Sequence, residues 1–380
     1  MFLIPYTKLT EEQKSIIRKI SREPSNLFVK GPPGSGKTLI SLYTILNMVQ
    51  NQVTKPLILI YNHSLYGYLN SSFKELGLTD NITIATKDKF FWSLAREHKV
   101  HTNGASYEDK YDALLSELLE KPLKNQWDIA VVDEVQDLNK KEWKLLKKIA
   151  SRITSMGDFN QKMYRTDLEE EDVSTACVVE KLFDIFRFSK NIAKVAGKFS
   201  RDKSSEDGSG LERKVIKIDQ KQVQLIDTEA GREAKEISEI ITTVRQQQGS
   251  IGLICPSKKQ LVRMAEELNA LDIDVTYYKE NKDLGRHDFT STQPLLITCF
   301  SAKGLEFENV IVFGFYQDNY FVQNFRREDR LTEMLYVSLT RANTGLYVIR
   351  TPNTIPELKE LSQEIKEETS ELSLDDLFGS

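Results

Sequence analysis

Apolar positions along the chain follow helical and strand periodicities in turn. "LTEEQKSIIRKI" sets Ile16, Ile17 and Ile20 at helical spacing behind Thr10, which has the side chain of an N-cap. "NLFVKG" then reads as a strand entering a Gly-rich turn, "TLISLYTILNMVQ" as a helix, and "PLILIY" and "ITIAT" as strands. Residues 106–120 read as a helix, "WDIAVVD" as a strand, "EWKLLKKIA" as a helix and "RITSMGD" as a strand. The alternation then begins again. "EKLFDIFRFSKNIAKVAGKF" predicts a largely helical stretch and "RDKSSEDGSGLER" a polar, flexible loop. Next come a strand at "KVIKI", a helix at "GREAKEISEIITTVRQQ", a strand at "SIGLICP", a helix over 257–270, and strands at "PLLITCF", "NVIVFGF" and "TGLYVI". Alternation of this kind predicts an α/β fold with mostly parallel sheets and ligand sites at the carboxyl ends of the strands. The restart near Ala176 predicts two domains, 1–176 and 177–353, followed by a tail over 354–380. A length of 380 residues suits two domains.

Composition narrows the class. With 40% hydrophobic and 28% charged residues the chain reads as globular. No apolar run approaches the roughly 18 residues of a membrane span. The opening "MFLIPYTKLTEEQ" lacks a basic leader region and a long apolar core, so the expectation is a soluble, cytoplasmic protein. Cys177, Cys255 and Cys299 are scattered, which suits a reducing compartment without structural zinc. The net charge of −4 argues against a passive nucleic-acid coat. Its distribution softens that argument, because residues 357–380 carry eight acidic residues against Lys359 and Lys366 and leave the rest of the chain slightly basic.

The candidate chemistry begins at "VKGPPGSGKT". Gly31, Pro32, Pro33, Gly34, Ser35, Gly36, Lys37 and Thr38 form a G-x-x-x-x-G-K-[ST] loop with a strand before it and a helix after it. In such a loop backbone N–H groups converge on phosphate, the lysine reaches the β- and γ-phosphates, and the threonine hydroxyl ligates Mg²⁺. "IAVVDEVQDL" ends a buried-type strand in carboxylates. Beside a phosphate loop, Asp133 at the carboxyl edge would share the Mg²⁺ with Thr38, and Glu134 would act as general base toward water. Gln13, three residues after Thr10, fits a capping box as well as a ligand role.

Taken in order, the motifs resemble those of the superfamily 1 helicases of the UvrD/Rep/PcrA kind. "LTEEQ" is similar to that family's adenine-reading Q motif, "GPPGSGKT" to its Walker A and "DEVQD" to its DExQD box. "GDFNQKMY" resembles the third motif, "FRFS" the aromatic-Arg-x-Ser segment, and "TCFSAKGLEF" and "LYVSLTRA" the fifth and sixth motifs. The resemblance implies two tandem RecA-like P-loop NTPase domains with ATP in the interdomain cleft. It implies Gln13 and Phe186 on adenine, Gln161 as a γ-phosphate sensor, Gly304 and Glu306 on ribose, and Arg187 and Arg341 as arginine fingers. Single-stranded DNA is the implied partner, with movement 3′→5′ and contacts from Tyr61, Asn62, Thr86, Tyr164 and Thr298.

The departures are specific. Thr166 stands where a second stacking aromatic is expected, Phe300 where His is usual and Asp88 where His is common. The segments 87–132 and 190–297 leave no room for the family's large accessory subdomains. Two functions therefore stay open: an ATP-dependent single-stranded DNA motor, or an ATPase subunit that switches a partner without processive unwinding. The tail "SLDDLF" resembles the bacterial sliding-clamp-binding hexapeptide, with Ser373 in place of Gln and with Leu377 and Phe378 as its apolar pair; a solubilising terminus is the alternative.

Overall fold

The computed structural model describes residues 5–50, 55–60, 66, 82–164, 166–200, 211, 214–216, 223–246, 249–278, 281–284, 287–288 and 291–362. The chain divides into two units, Met1–Ile185 with Asn281–His287, and Phe186–Glu280 with Asp288–Ser380.

The first unit is built on strands β1 (Leu27–Lys30), β2 (Pro56–Ile60), β3 (Thr83–Thr86), β4 (Ile129–Val132), β5 (Ile153–Gly157) and β6 (Val178–Lys181). They form one sheet in the order β3-β2-β4-β5-β1-β6, parallel at every pairing. Because side chains alternate across a strand, β4 feeds both faces. Ile129 and Val131 pack with the helices Glu11–Arg22 and Lys37–Gln50, through Ile17, Ile20, Ile40 and Ile45. Ala130 and Val132 pack on the opposite side, with Phe91, Leu115 and Leu146 of the helices Lys87–Glu97, Tyr107–Glu120 and Lys140–Ile149. A parallel sheet covered on both faces explains why its strands are nearly continuous apolar runs.

The second unit repeats the plan with β7 (Val223–Asp227), β8 (Ile251–Cys255), β9 (Thr276–Tyr277), β10 (Leu295–Thr298), β11 (Phe307–Val312) and β12 (Ala342–Arg350). Their order is β7-β12-β11-β8-β10-β9, again all parallel. Ile251, Leu253 and Ile311 pack against Ile237 and Ile241 of the helix Glu233–Arg245 and against Leu261 and Leu268 of the helix Lys258–Asn269. Two six-stranded parallel sheets flanked by helices are the tandem RecA-like α/β arrangement that the motifs imply.

Two local readings of the sequence differ from the structure. The stretch from Glu180 is not mainly helical: Val178–Lys181 is a strand in register with β1, and the helix covers only Lys190–Gly197. The paired β-branched residues Val178 and Val179 favour an extended edge, and Lys19 on the first helix forms an ion pair with Glu180. The first compact unit includes this strand and runs to Ile185. The second sheet takes Val223–Asp227 as a strand, which the sequence reading did not place; of "KVIKI", Lys214 lies in a turn, Val215 forms a β-bridge, and Lys217 and Ile218 fall outside the described residues.

The helix Tyr107–Glu120 is held by a buried charged cluster. Glu142 is fully buried; its Oε2 accepts the Asn139 N–H at 2.7 Å in a capping box, and its Oε1 accepts Lys87 Nζ at 2.8 Å and Tyr111 Oη at 2.7 Å. From the same helix as Glu142, Lys148 donates to the Leu119 and Lys121 carbonyls, and Lys141 pairs with Asp112. Lysines of one helix thus anchor its neighbour. Removing one member of a buried pair typically costs about 3–5 kcal/mol, so Glu142→Ala is expected to lower unfolding free energy by that amount. Urea denaturation measures it, and an unchanged midpoint would show that the cluster contributes nothing net.

Candidate nucleotide site

β1 delivers the phosphate loop, and the Gly31 N–H donates to the Gly157 carbonyl at the end of β5, at 3.3 Å. Gly34 and Gly36 have φ of 81° and 90°, a region that favours glycine. A Cβ on Gly36 would lie 2.5 Å from Gln13 Nε2, so the loop and the first helix are in close contact. Gln13 serves two elements at once. Its Oε1 accepts the Thr10 N–H at 3.1 Å, completing the capping box, while its Nε2 donates to the Ser35 carbonyl at 3.0 Å. Lys37 is buried, and its ammonium donates to the Gly31 and Pro32 carbonyls at 2.8 and 3.0 Å.

Asp133 follows β4, and its N–H donates to the Leu59 carbonyl of β2 at 3.1 Å. β4 does not adjoin β1, because β5 lies between them. Two strand spacings separate them, roughly 10 Å. Thr38, in the first turn of its helix, nevertheless donates its hydroxyl to Asp133 Oδ2 at 3.2 Å. Burial, then the charge of Glu134, pushes the Asp133 carboxyl up to about 7, against the opposing pull of Lys37 and the Thr38 hydroxyl. Burial also raises Asp158, and Lys37 again opposes it. Asp133 and Asp158 thus share Lys37 as counter-charge. A hydroxyl and a carboxylate side by side are the hard oxygen donors that Mg²⁺ takes, so Thr38 and Asp133 fit the implied metal.

Glu134 has a left-handed backbone, φ 57° and ψ 52°, and its N–H donates to Asp133 Oδ1 at 3.2 Å. Its carboxylate accepts from the Gln136 amide. Gln161, on the short turn Phe159–Gln161 after β5, is buried and donates from Nε2 to Asp158 Oδ2 at 3.1 Å. The sequence reading gave no role to Gln136 or Asp158. Their signal was position alone, Gln136 within "DEVQD" and Asp158 within "GDFNQ".

In the second unit, Arg187 and Glu306 form an ion pair with each other, and both side chains are mostly enclosed. Phe186, beside Arg187, is 37% exposed. Gly304 has φ 79° at the turn before β11. Arg341 is buried, with Nε donating to the Val337 carbonyl at 3.0 Å and other guanidinium nitrogens to Leu305 O and Thr340 Oγ1 at 3.4 and 3.3 Å. Arg187, Arg341, Gly304 and Glu306 thus belong to one unit, and Leu305 lies against Arg341.

Of the nucleic-acid candidates, Tyr61 and Asn62 lie outside the described residues, as do Leu377 and Phe378 of the tail. Thr86 ends β3 and is buried at the N-cap of Lys87–Glu97. Thr298 ends β10 and caps Cys299–Ala302, accepting the Ser301 N–H at 3.4 Å. Both therefore occupy carboxyl ends of strands. Tyr164 is half-buried. Thr166 donates its hydroxyl to the Gln136 carbonyl at 3.1 Å. Phe300 packs edge-on against Phe325 at 5.4 Å, beneath the guanidinium of Arg330, and Asp88 pairs with Lys87 at 3.1 Å. Among the described residues no group of three or more His, Cys, Asp or Glu could hold a metal by itself, and no helix is long and apolar enough to cross a membrane.

Two family models match the chain: the Type III restriction enzyme, res subunit, over residues 6–157, and the UvrD-like helicase C-terminal domain over residues 295–349. A comparison with curated proteins finds no match. Among solved structures, the C-terminal domain of a possible DNA helicase from Lactobacillus plantarum is 18% identical, with a TM-score of 0.34, covering 46% of this chain and 91% of that one. Arterivirus nonstructural protein 10 (helicase) in complex with DNA is 15% identical, with a TM-score of 0.44, covering 90% of this chain and 65% of that one. The PRRSV helicase is 15% identical, with a TM-score of 0.42, covering 89% of this chain and 54% of that one. The chain thus spans less than two thirds of the length of these two viral helicases. Each unit thus resembles one family model, the first over residues 6–157 and the second, over residues 295–349, that of a UvrD-like helicase.

Proposed function

We propose that this chain is a Mg²⁺-dependent ATPase that moves along single-stranded DNA. The observation that carries the reading is the approach of Thr38 Oγ1 to Asp133 Oδ2, at 3.2 Å, across 95 residues of sequence. Each sits in the motif that would need it for a shared metal. Mg²⁺, when bound, would neutralise charge on the β- and γ-phosphate oxygens. Lys37 would exchange its loop carbonyls for phosphate, Glu134 would take a proton from the attacking water, and Gln161 would sense the γ-phosphate. Arg187 and Arg341, carried by the second unit, would act on charge that develops as the phosphoryl group transfers. Glu306, now holding Arg187, would turn to the ribose with Gly304, while Gln13 and Phe186 would meet the adenine. Thr86, Tyr164 and Thr298 would line the strand's path with Tyr61 and Asn62, and the direction 3′→5′ follows from family resemblance.

Steady-state ATPase with and without single-stranded DNA or RNA, and with the metal chelated, tests the proposal. Strong stimulation by DNA supports the motor. No stimulation favours the second reading, a nucleotide-driven switch for a partner, which draws support from the Thr166 hydroxyl being engaged by the Gln136 carbonyl where a stacking aromatic would stand. The tail would be the tether to such a partner, a sliding clamp in the reading of "SLDDLF". Tyr61→Ala is expected to weaken oligonucleotide binding by about 1–3 kcal/mol if its ring stacks on a base. Fluorescence anisotropy across a salt series measures this, and unchanged affinity would remove Tyr61 from the strand's path.

A further inference from the structure

Gln136 has no part in the roles above, yet its side chain is fully buried and both ends of its amide are engaged. Nε2 donates to the Glu134 carboxylate, and Oε1 accepts the Asp158 N–H at 3.2 Å. Asp158 in turn accepts Gln161 Nε2 on Oδ2 at 3.1 Å. Glu134 and Gln161, the proposed base and the proposed phosphate sensor, are therefore joined through one buried amide and one aspartate. The fit around the amide is close. A Cβ on Gly157 would lie 2.5 Å from Gln136 Oε1, so glycine at the end of β5 is what admits it. The main chain is held as well, by the Thr166 hydroxyl on the Gln136 carbonyl.

The chemistry of the position is selective. One end must donate to a carboxylate while the other accepts a backbone N–H, which a primary amide does and a carboxylate or an aliphatic side chain of the same length does not. Glu134 itself sits on a left-handed backbone, uncommon for a residue with a side chain, so its direction depends on what holds it. We infer that Gln136 is a positioning residue: it aims the Glu134 carboxylate and ties that aim to Gln161 through Asp158. A shift of Gln161 onto a bound γ-phosphate then reaches Glu134 through hydrogen bonds alone. The inference rests on the proposed roles of Glu134 and Gln161.

The test uses the full chain with Mg²⁺-ATP and compares Gln136→Met and Gln136→Glu, each alone and combined with Glu134→Gln. Misalignment of a reacting group costs up to about 100-fold in rate. Each single variant is accordingly expected to lower kcat by about 10- to 100-fold, with KM and the affinity for a fluorescent ATP analogue changed by less than about twofold. In the Glu134→Gln background either substitution should add less than about twofold, because a residue acting through Glu134 has nothing left to aim. Losses that multiply in that background, or a raised KM with kcat intact, would overturn the inference. Gln136→Glu keeps the shape and the acceptor toward Asp158, so it decides the matter if Gln136→Met does not fold. Near-normal hydrolysis by Glu134→Gln alone would instead remove the base, and the inference would fall with the functional reading beneath it.

Discussion

Glu134→Gln is expected to bind ATP as the parent does and to hydrolyse it about 100-fold more slowly or worse, the scale on which a positioned general base contributes. The substitution is nearly isosteric, and contacts that hold this residue include its N–H on Asp133 and its carboxylate under the Gln136 amide. The neutral amide also removes the negative charge that helps raise the neighbouring Asp133, so metal and nucleotide affinity should be kept or improved while turnover falls. Nucleotide titration beside steady-state hydrolysis separates these effects. Retained turnover would assign the base elsewhere, and loss of binding in parallel with turnover would make Glu134 a structural carboxylate.

Arg187→Ala is expected to lower the maximal rate of hydrolysis by about 10³-fold with a much smaller change in KM, as for an arginine finger. The geometry adds a condition. Arg187 is paired with Glu306, and both are largely enclosed, so a guanidinium bound for phosphate must first leave that carboxylate. Arg341→Ala should also impair hydrolysis, but its buried guanidinium serves the Val337 and Leu305 carbonyls as well. That variant has to be read beside its thermal midpoint. A fall in KM-linked affinity with an intact maximal rate would remove either arginine from the chemistry, whereas a large rate loss at unchanged thermal stability supports the role.

Much of the first unit was legible because its signals are local. The P-loop glycines, the cap at Thr10 and the apolar period of the strands each act within a few residues of chain. β6 was misread because its pairing partner, β1, lies far upstream, and an edge strand of four residues has little periodicity of its own. Val223–Asp227 was missed for the same reason, since its place beside β12 is set by pairing with a strand far downstream. Among site residues, Gln13 kept its capping reading, and the other half of its amide holds the phosphate loop, a contact its position in the sequence did not show.

By itself, then, the sequence determined the alternating α/β plan, the phosphate loop and the acidic strand end at Asp133, because propensity, capping and glycine geometry are properties of short segments. Only the tertiary structure decided that β5 stands between β1 and β4 while Thr38 still meets Asp133, that Arg187 rests on Glu306, and that Gln136 links Glu134 to Asp158 and Gln161. Those are contacts between residues distant in sequence or turned toward one another by a single backbone angle, and their energies appear only when the sheet has brought the strand ends to one edge.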